Sequence, residues 1–224
     1  MKDRYGREID YLRISITDRC NLRCVYCMPE DGIHQISHKE ILTYDEIKRV
    51  CQCVTTLGIH KIKLTGGEPL TRKNCSELVA MVKALPGIEK VTLTTNGVLL
   101  KDQLKDLAEA GIDNINISLD TLSKTEFHRI TRREGLSSVL ESIEEALKYP
   151  QIGLKINCVP VIEDPENLVS IAGLAKIHPI HVRFIEMMPI GFGKDFVFQG
   201  EDEICSILER AYGIMIPDVN RYGN

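Results

Sequence analysis

The chain has 224 residues, 43% of them hydrophobic and 27% charged, with a formal net charge of −4 at pH 7. This composition suits an ordinary soluble domain with room for a sizeable core, and its mild acidity gives no electrostatic reason to expect nucleic acid as a partner. No apolar run approaches the roughly 18 residues of a membrane span, and the opening MKDRYGREID lacks the apolar core of a signal peptide, so no membrane partner and a cytoplasmic location are expected.

In chain order, the first β-rich run is LRISIT (12–17), followed at once by the cysteine-dense stretch TDRCNLRCVYCMPED (17–31). A helix is predicted over 43–57, opening with Thr43 and Glu46 at capping-box spacing and placing Ile47, Val50, Cys51, Val54 and Leu57 on one face. KIKLTG (61–66) and VTLTTN (91–96) are the next strands. A helix over Lys101–Ala110 carries Leu104, Leu107 and Ala108 and stops at Gly111. Next come NINISLD (114–120), a helical stripe of Val139, Leu140, Ile143 and Leu147, and the strand LKINCVPV (154–161). Asp164-Pro165 caps a helix to about Lys176, HVRFIEMM (181–188) is the sixth strand, and Glu201–Tyr212 is the last helix.

Strands that alternate with helices imply parallel β/α units, arranged either as an open doubly wound sheet or as a partial barrel. Strands buried on both faces read as continuous apolar runs, whereas these alternate. Leu12 and Ile14 oppose Arg13 and Ser15; Ile62 and Leu64 oppose Lys63 and Thr65; Leu93 opposes Thr92 and Thr94; Leu154 and Ile156 oppose Lys155 and Asn157. One face packs under helices. The other is polar and carries Arg13, Lys63, Lys155 and Arg183, which favours a curved, incomplete barrel around a polar cavity that takes an anionic ligand such as a phosphorylated small molecule.

Active sites of parallel β/α barrels lie at the C-terminal ends of the strands. The distinctive stretches fall there: the cysteine triplet, Gly66-Gly67-Glu68-Pro69, Thr95-Asn96-Gly97, Ser118-Leu119-Asp120 and Glu186-Met187-Met188. Taken singly, GGEP and TNG are ordinary turns, SLD reads as a helix N-cap and a Met pair as packing. Eight cysteines without a secretion signal suggest metal or redox chemistry. Cys51, Cys53, Cys75, Cys158 and Cys205 are expected to be small buried side chains. Cys20, Cys24 and Cys27, spaced C-x3-C-x2-C, are different. A structural zinc site usually closes with four ligands, and a ferredoxin cluster takes four cysteines. Three thiolates on four irons leave one iron open to a small molecule; a zinc ion borrowing a distant ligand is the alternative.

CNLRCVYC resembles the cysteine signature of the radical S-adenosylmethionine (SAM) superfamily, and the segments LRISITDRCNLRCVYCMP, KLTGGEPLTR, LTTNGVLL, INISLD and RFIEMMPIG resemble its GTP 3′,8-cyclase family, a lyase family of molybdenum cofactor biosynthesis. The resemblance implies an α/β fold, a partial (β/α)6 TIM-like barrel with parallel strands, as a single domain over 1–224. It implies a 4Fe–4S cluster on Cys20, Cys24 and Cys27, with SAM chelated at the fourth iron. Reductive cleavage of SAM gives a 5′-deoxyadenosyl radical, which takes the ribose 3′-hydrogen of GTP and leads to 3′,8-cyclo-7,8-dihydro-GTP. By the same resemblance Tyr26, Gly67, Ser118 and Met188 contact SAM, Gly67 by letting the cofactor approach the backbone. Arg13, Lys63, Thr94 and Lys155 contact GTP; Asn157, Arg183 and Glu186 are further lining candidates.

Lys63 stands where the family commonly has arginine, which keeps charge but not a bidentate fork. An electron donor such as flavodoxin or ferredoxin is implied as a partner, and a homodimer is admitted. The family's C-terminal segment, with three cysteines for a second 4Fe–4S cluster, is not expected within a chain that stops at NRYGN. His178 and His181 read as surface residues. The competing functions are a radical SAM maturase of another substrate and a non-catalytic iron–sulfur or zinc module.

Overall fold

The computed structural model describes residues 2–161, 164–196 and 200–217. They group into two compact units. The first takes in the chain up to Asn21, His34–Ile117 and Ser137–Leu154; the second takes in Leu22–Ile33, Ser118–Leu136 and the chain from Lys155 onward.

In the first unit β1 (Tyr11–Ser15), β2 (Lys61–Thr65), β3 (Lys90–Thr95) and β4 (Asn114–Ser118) pair in parallel in chain order. Each return from one strand to the next is made by a helix: α1 (Tyr44–Thr55), α2 (Cys75–Lys83) and α3 (Leu100–Glu109), with a 3-10 turn at Pro69–Thr71. The capping box at Thr43 forms as expected: Glu46 N–H donates to the Thr43 hydroxyl, and Thr43 N–H donates to the Glu46 carboxylate at 2.7 Å. Gly111 stops α3 in the left-handed region at φ +82°.

The alternation seen in the sequence resolves into two faces. Ile62, Leu64, Val91, Leu93, Ile115 and Ile117 are fully buried, beneath helices that bury Cys51, Leu78, Val82, Leu104 and Leu107. Each such side chain contributes about 1.5–3 kcal/mol relative to exposure. The polar face is buried as well: Lys63, Thr65, Thr92 and Asn116 all have 7% exposure or less. α5 (Leu136–Ala146) adds Val139 and Ile143 to the buried set.

The second unit holds α4 (Lys124–Thr131), the parallel pair of β5 (Gly153–Cys158, whose first two residues belong to the first unit) with β6 (His181–Phe184), α6 (Pro165–Ile177) and α7 (Glu201–Tyr212). Asp164 caps α6, accepting from Glu166 N–H at 3.0 Å. Leu168, Ile204, Ile207 and Leu208 form a cluster with Phe184 packed against it.

Several burial expectations fail. Val50 and Leu57 are 42% and 55% exposed. Cys53 is exposed and Cys205 half-buried, while Cys51, Cys75 and Cys158 are buried as expected. His181 is exposed as expected, whereas His178 is half-buried.

Candidate radical SAM site

In the first unit, the end of β1 runs on as Ile16-Thr17-Asp18-Arg19-Cys20 against the end of β2. Ile16 N–H donates to Thr65 O, Gly67 N–H to Thr17 O and Glu68 N–H to Arg19 O, at 2.7–2.8 Å. This approach explains both glycines. A Cβ on Gly66 would lie 2.5 Å from Thr17 O, and one on Gly67 would lie 2.4 Å from Arg19 O, distances no side chain tolerates. Gly67 was expected to make room for a cofactor; its missing side chain makes room for the chain's own backbone, on the stem that presents Cys20.

Glu68, read from the sequence as part of a turn, is 1% exposed. Its carboxylate accepts from Leu70 N–H (3.0 Å), the Thr95 hydroxyl (2.7 Å) and Asn96 N–H (2.6 Å), locking the end of β2 to that of β3. Burial pushes its carboxyl above the usual range, against the pull of those three donors. Asn96 in turn donates to Asn21 Oδ1 at 2.7 Å and lies 3.9 Å from Cys20 Sγ.

The other two cysteines belong to the second unit, in a tight turn: Cys27 N–H and Met28 N–H both donate to Cys24 O, at 2.9 and 3.1 Å. Arg23 N–H and Val25 N–H bond to the last carbonyls of α4, Thr131 O and Ile130 O. Arg132, in the left-handed conformation at the end of that helix (φ +55°), donates to Arg23 O and Met28 O. All three cysteines are free thiols, with Cys20 and Cys24 half-buried and Cys27 exposed. Desolvation pushes the Cys27 thiol up, so a metal must displace its proton to bind. Among the described residues no three His, Cys, Asp or Glu side chains converge as ligands of one metal ion.

Tyr26, between Cys24 and Cys27, donates its phenol to Asp120 Oδ2 at 2.7 Å. A cavity of about 520 Å³ opens beside it, lined by Tyr26, Cys27, Val159, Ile185 and Met188 among others. Tyr26 and Met188, two of the expected SAM contacts, thus meet at one cavity. Ser118 is half-buried at the end of β4 and does not line it. Gly193 lets the turn at Gly191–Asp195 close on the Met pair, since a Cβ there would lie 2.5 Å from Met188 O. The SLD segment does not cap a helix. Ser123 caps α4, accepting from Glu126 N–H, and Asp120 faces inward.

The expected GTP contacts fall on the polar strand faces. Arg13 and Lys63 are register partners, Lys63 pairs with Thr92, and Thr94 pairs with Asn116. Arg13 is exposed and 3.5 Å from the Thr65 hydroxyl; Lys63 is buried, its ammonium 5.8 Å from the Tyr11 ring centre; Thr94 is half-buried and accepts from Asn116 Nδ2. In the second unit Lys155 is buried, and Asn157 is in register with Arg183. Asn157 Oδ1 is buried without a hydrogen-bond partner, as suits a wall that meets a polar ligand. Glu186 is exposed and accepts from Glu201 N–H at the start of α7, a capping contact the sequence reading did not anticipate.

Residues 14–175 match the radical SAM superfamily. The chain is 48% identical over 212 residues to a GTP 3′,8-cyclase of Clostridium perfringens (strain SM101 / Type A), covering 94% of this chain and 65% of that protein. It is 43% identical over 229 residues to a GTP 3′,8-cyclase of Syntrophomonas wolfei, covering all of this chain and 70% of that one. The chain belongs to the radical SAM superfamily, in the family of the GTP 3′,8-cyclases. It spans about two thirds of the length of these relatives.

Among solved structures, Streptococcus suis SuiB bound to S-adenosylmethionine matches with a TM-score of 0.75 at 16% identity, over 90% of this chain and 46% of that one. A methylornithine synthase matches at 0.68 and 19% identity, over 91% of this chain and 62% of that one. Six parallel strands alternating with helices, in the fold of these enzymes, make the partial (β/α)6 TIM-like barrel expected from the sequence. No described helix is long and apolar enough to cross a membrane.

Proposed function

We propose that these 224 residues act as one radical SAM catalytic domain of a GTP 3′,8-cyclase in the cytoplasm. Cys20, Cys24 and Cys27 hold a 4Fe–4S cluster; Tyr26, Gly67, Ser118 and Met188 contact SAM; Arg13, Lys63, Thr94 and Lys155 contact GTP. What carries the reading is identity of 43–48% to GTP 3′,8-cyclases over nearly the whole chain, with the C-x3-C-x2-C spacing intact.

The residues fit the group. Three thiols sit in an eight-residue loop whose ends are tied down, and none is spent in a disulfide. A cubane cluster asks each thiolate for a different iron, so it does not need the single-point convergence of a zinc site. When bound, the cluster supplies the electron that splits SAM and releases the 5′-deoxyadenosyl radical. The chain's own residues position and shield. The Gly66-Gly67 contact sets the stem of Cys20, the end of α4 holds the Cys24–Cys27 turn, and apolar Val159 and Ile185 line the cavity beside Tyr26. The buried ammonium groups of Lys63 and Lys155 are suited to the triphosphate of GTP as charge-assisted donors. The electron donor is a protein such as flavodoxin or ferredoxin, and the second cluster of the family is no part of these residues.

The test is anaerobic reconstitution with iron and sulfide, then incubation with dithionite, SAM and GTP. Formation of 5′-deoxyadenosine that depends on Cys24 and rises with GTP is the expected result. Its absence from a chain that has taken up a full cluster overturns the proposal.

A further inference from the structure

Asp120 lies outside every role given so far. It is 9% exposed, and each of its oxygens is committed. Oδ1 accepts Val159 N–H at 2.8 Å, just past the end of β5. Its main-chain carbonyl accepts Asn167 Nδ2 from α6 at 2.8 Å and faces Cys158 Sγ at 3.7 Å. The residue is therefore fixed to the ends of the strands and to a helix of the second unit. Oδ2, the remaining oxygen, reaches the Tyr26 phenol, 94 positions away in sequence.

Packing alone does not ask for this pair. A buried carboxylate costs free energy that its hydrogen bonds only partly offset, and replacing both members of such a pair by apolar groups is often neutral or stabilising. A phenylalanine at 26 would fill the same space. What the phenol–carboxylate bond adds is direction: it fixes one ring, at one height, in the middle of the turn that carries Cys24 and Cys27. The backbone bonds from Arg23 and Val25 and the guanidinium of Arg132 hold the two ends of that turn. Tyr26 fastens its centre, and its ring walls the 520 Å³ cavity.

We propose that Asp120 is a positioning residue for the cluster loop: through the Tyr26 phenol it sets the Cys24–Cys27 turn and the cavity wall before cluster and cofactor arrive. This rests on the reading of Cys20, Cys24 and Cys27 as cluster ligands. Outer-shell partners of metal ligands typically change metal retention by about 10–100-fold, and Asp120 acts one bond further out, through the loop rather than through a sulfur.

The experiment compares reconstituted wild-type chain with Tyr26→Phe and Asp120→Asn. Tyr26→Phe removes one oxygen and the bond with it. Asp120→Asn keeps a bond of the same reach, with Oδ1 accepting Val159 N–H and Nδ2 donating to the phenol oxygen. The readouts are the rate of iron loss to a chelator, the electron paramagnetic resonance (EPR) spectrum of the reduced cluster, and the melting temperature of the apoprotein. Tyr26→Phe is expected to lose iron about tenfold faster with altered g values and an unchanged apoprotein melting temperature, while Asp120→Asn stays within about threefold of wild type. If the lone carboxylate unfolds Tyr26→Phe, the double variant Tyr26→Phe/Asp120→Asn removes that charge and is expected to show the same fast iron loss. Wild-type iron loss and g values in the variant lacking the phenol overturn the inference. So does equal loss in Asp120→Asn, which would signal general destabilisation. A wild-type chain that takes up no cluster is a different result, and sinks the cluster reading itself.

Discussion

Glu68 shows how much of a site one residue can carry without advertising it in the sequence. GGEP scans as an ordinary turn, and nothing within it marks the carboxylate as buried. Leu70 N–H is a local donor, but the 1% exposure of Glu68 and its other two donors, Thr95 and Asn96, are tertiary facts, set by a neighbouring strand 27 positions on that no local pattern announces. Asp120 is the same case, read as a cap and found holding Tyr26. At Gly67 the sequence marked a position that needs a residue without a side chain, and the structure adds that the Arg19 backbone lies against it. Burial raises the Glu68 carboxyl above its ordinary value of 4.5. The native state therefore holds this proton to higher pH than the unfolded chain does, so its contribution falls as pH rises from about 4.5 through the folded value. Glu68→Gln is expected to flatten that part of the stability–pH curve. It should also cost about 1–3 kcal/mol at acid pH, because the new amide turns a donor toward Asn96 N–H. Urea unfolding of the apoprotein at several pH values between 4 and 8 measures both, and an unchanged curve contradicts the account.

At the scale of elements, the sequence was most informative where a signal is local. The Thr43–Glu46 box and the Asp164 cap lie where side-chain chemistry within one turn put them, and the Gly111 stop where a left-handed backbone position asks for glycine. Thr43→Ala is expected to cost about 1 kcal/mol, read as a lower urea midpoint with unchanged slope; no change would mean that packing of Ile47 and Cys51 alone holds α1. The failures occur at the edges of patterns. Val50 lies roughly 100° around the helix from Cys51, at the rim of the buried stripe, and Leu57 follows the end of the helix. Cys53, two residues past Cys51, points to the other side. Strand alternation was legible because its period is two; that both faces are buried was not, since a polar face looks the same whether it meets solvent or lines a cavity.

At the scale of the whole molecule, the family and its fold follow from motifs spread over most of the chain, and the match runs from residue 14 to 175 across both compact units. The chain spans about two thirds of its cyclase relatives, so substrate binding by these residues needs its own test. Lys155→Met removes the charge and keeps the stem. It is expected to weaken GTP binding about 10–100-fold, the weight of a charge-assisted bond, with the apoprotein melting temperature read alongside as the control for folding. Equilibrium dialysis with labelled GTP decides it, and equal affinity in the two proteins removes Lys155 from the site.

The central claim is that Cys20, Cys24 and Cys27 hold a cluster with one iron open to SAM. EPR spectra of the reconstituted, dithionite-reduced chain with and without SAM test it most directly. The account predicts a reduced 4Fe–4S signal that shifts when SAM is added and is lost in Cys24→Ser. A signal indifferent to SAM, or no iron–sulfur signal in the wild-type chain, contradicts it.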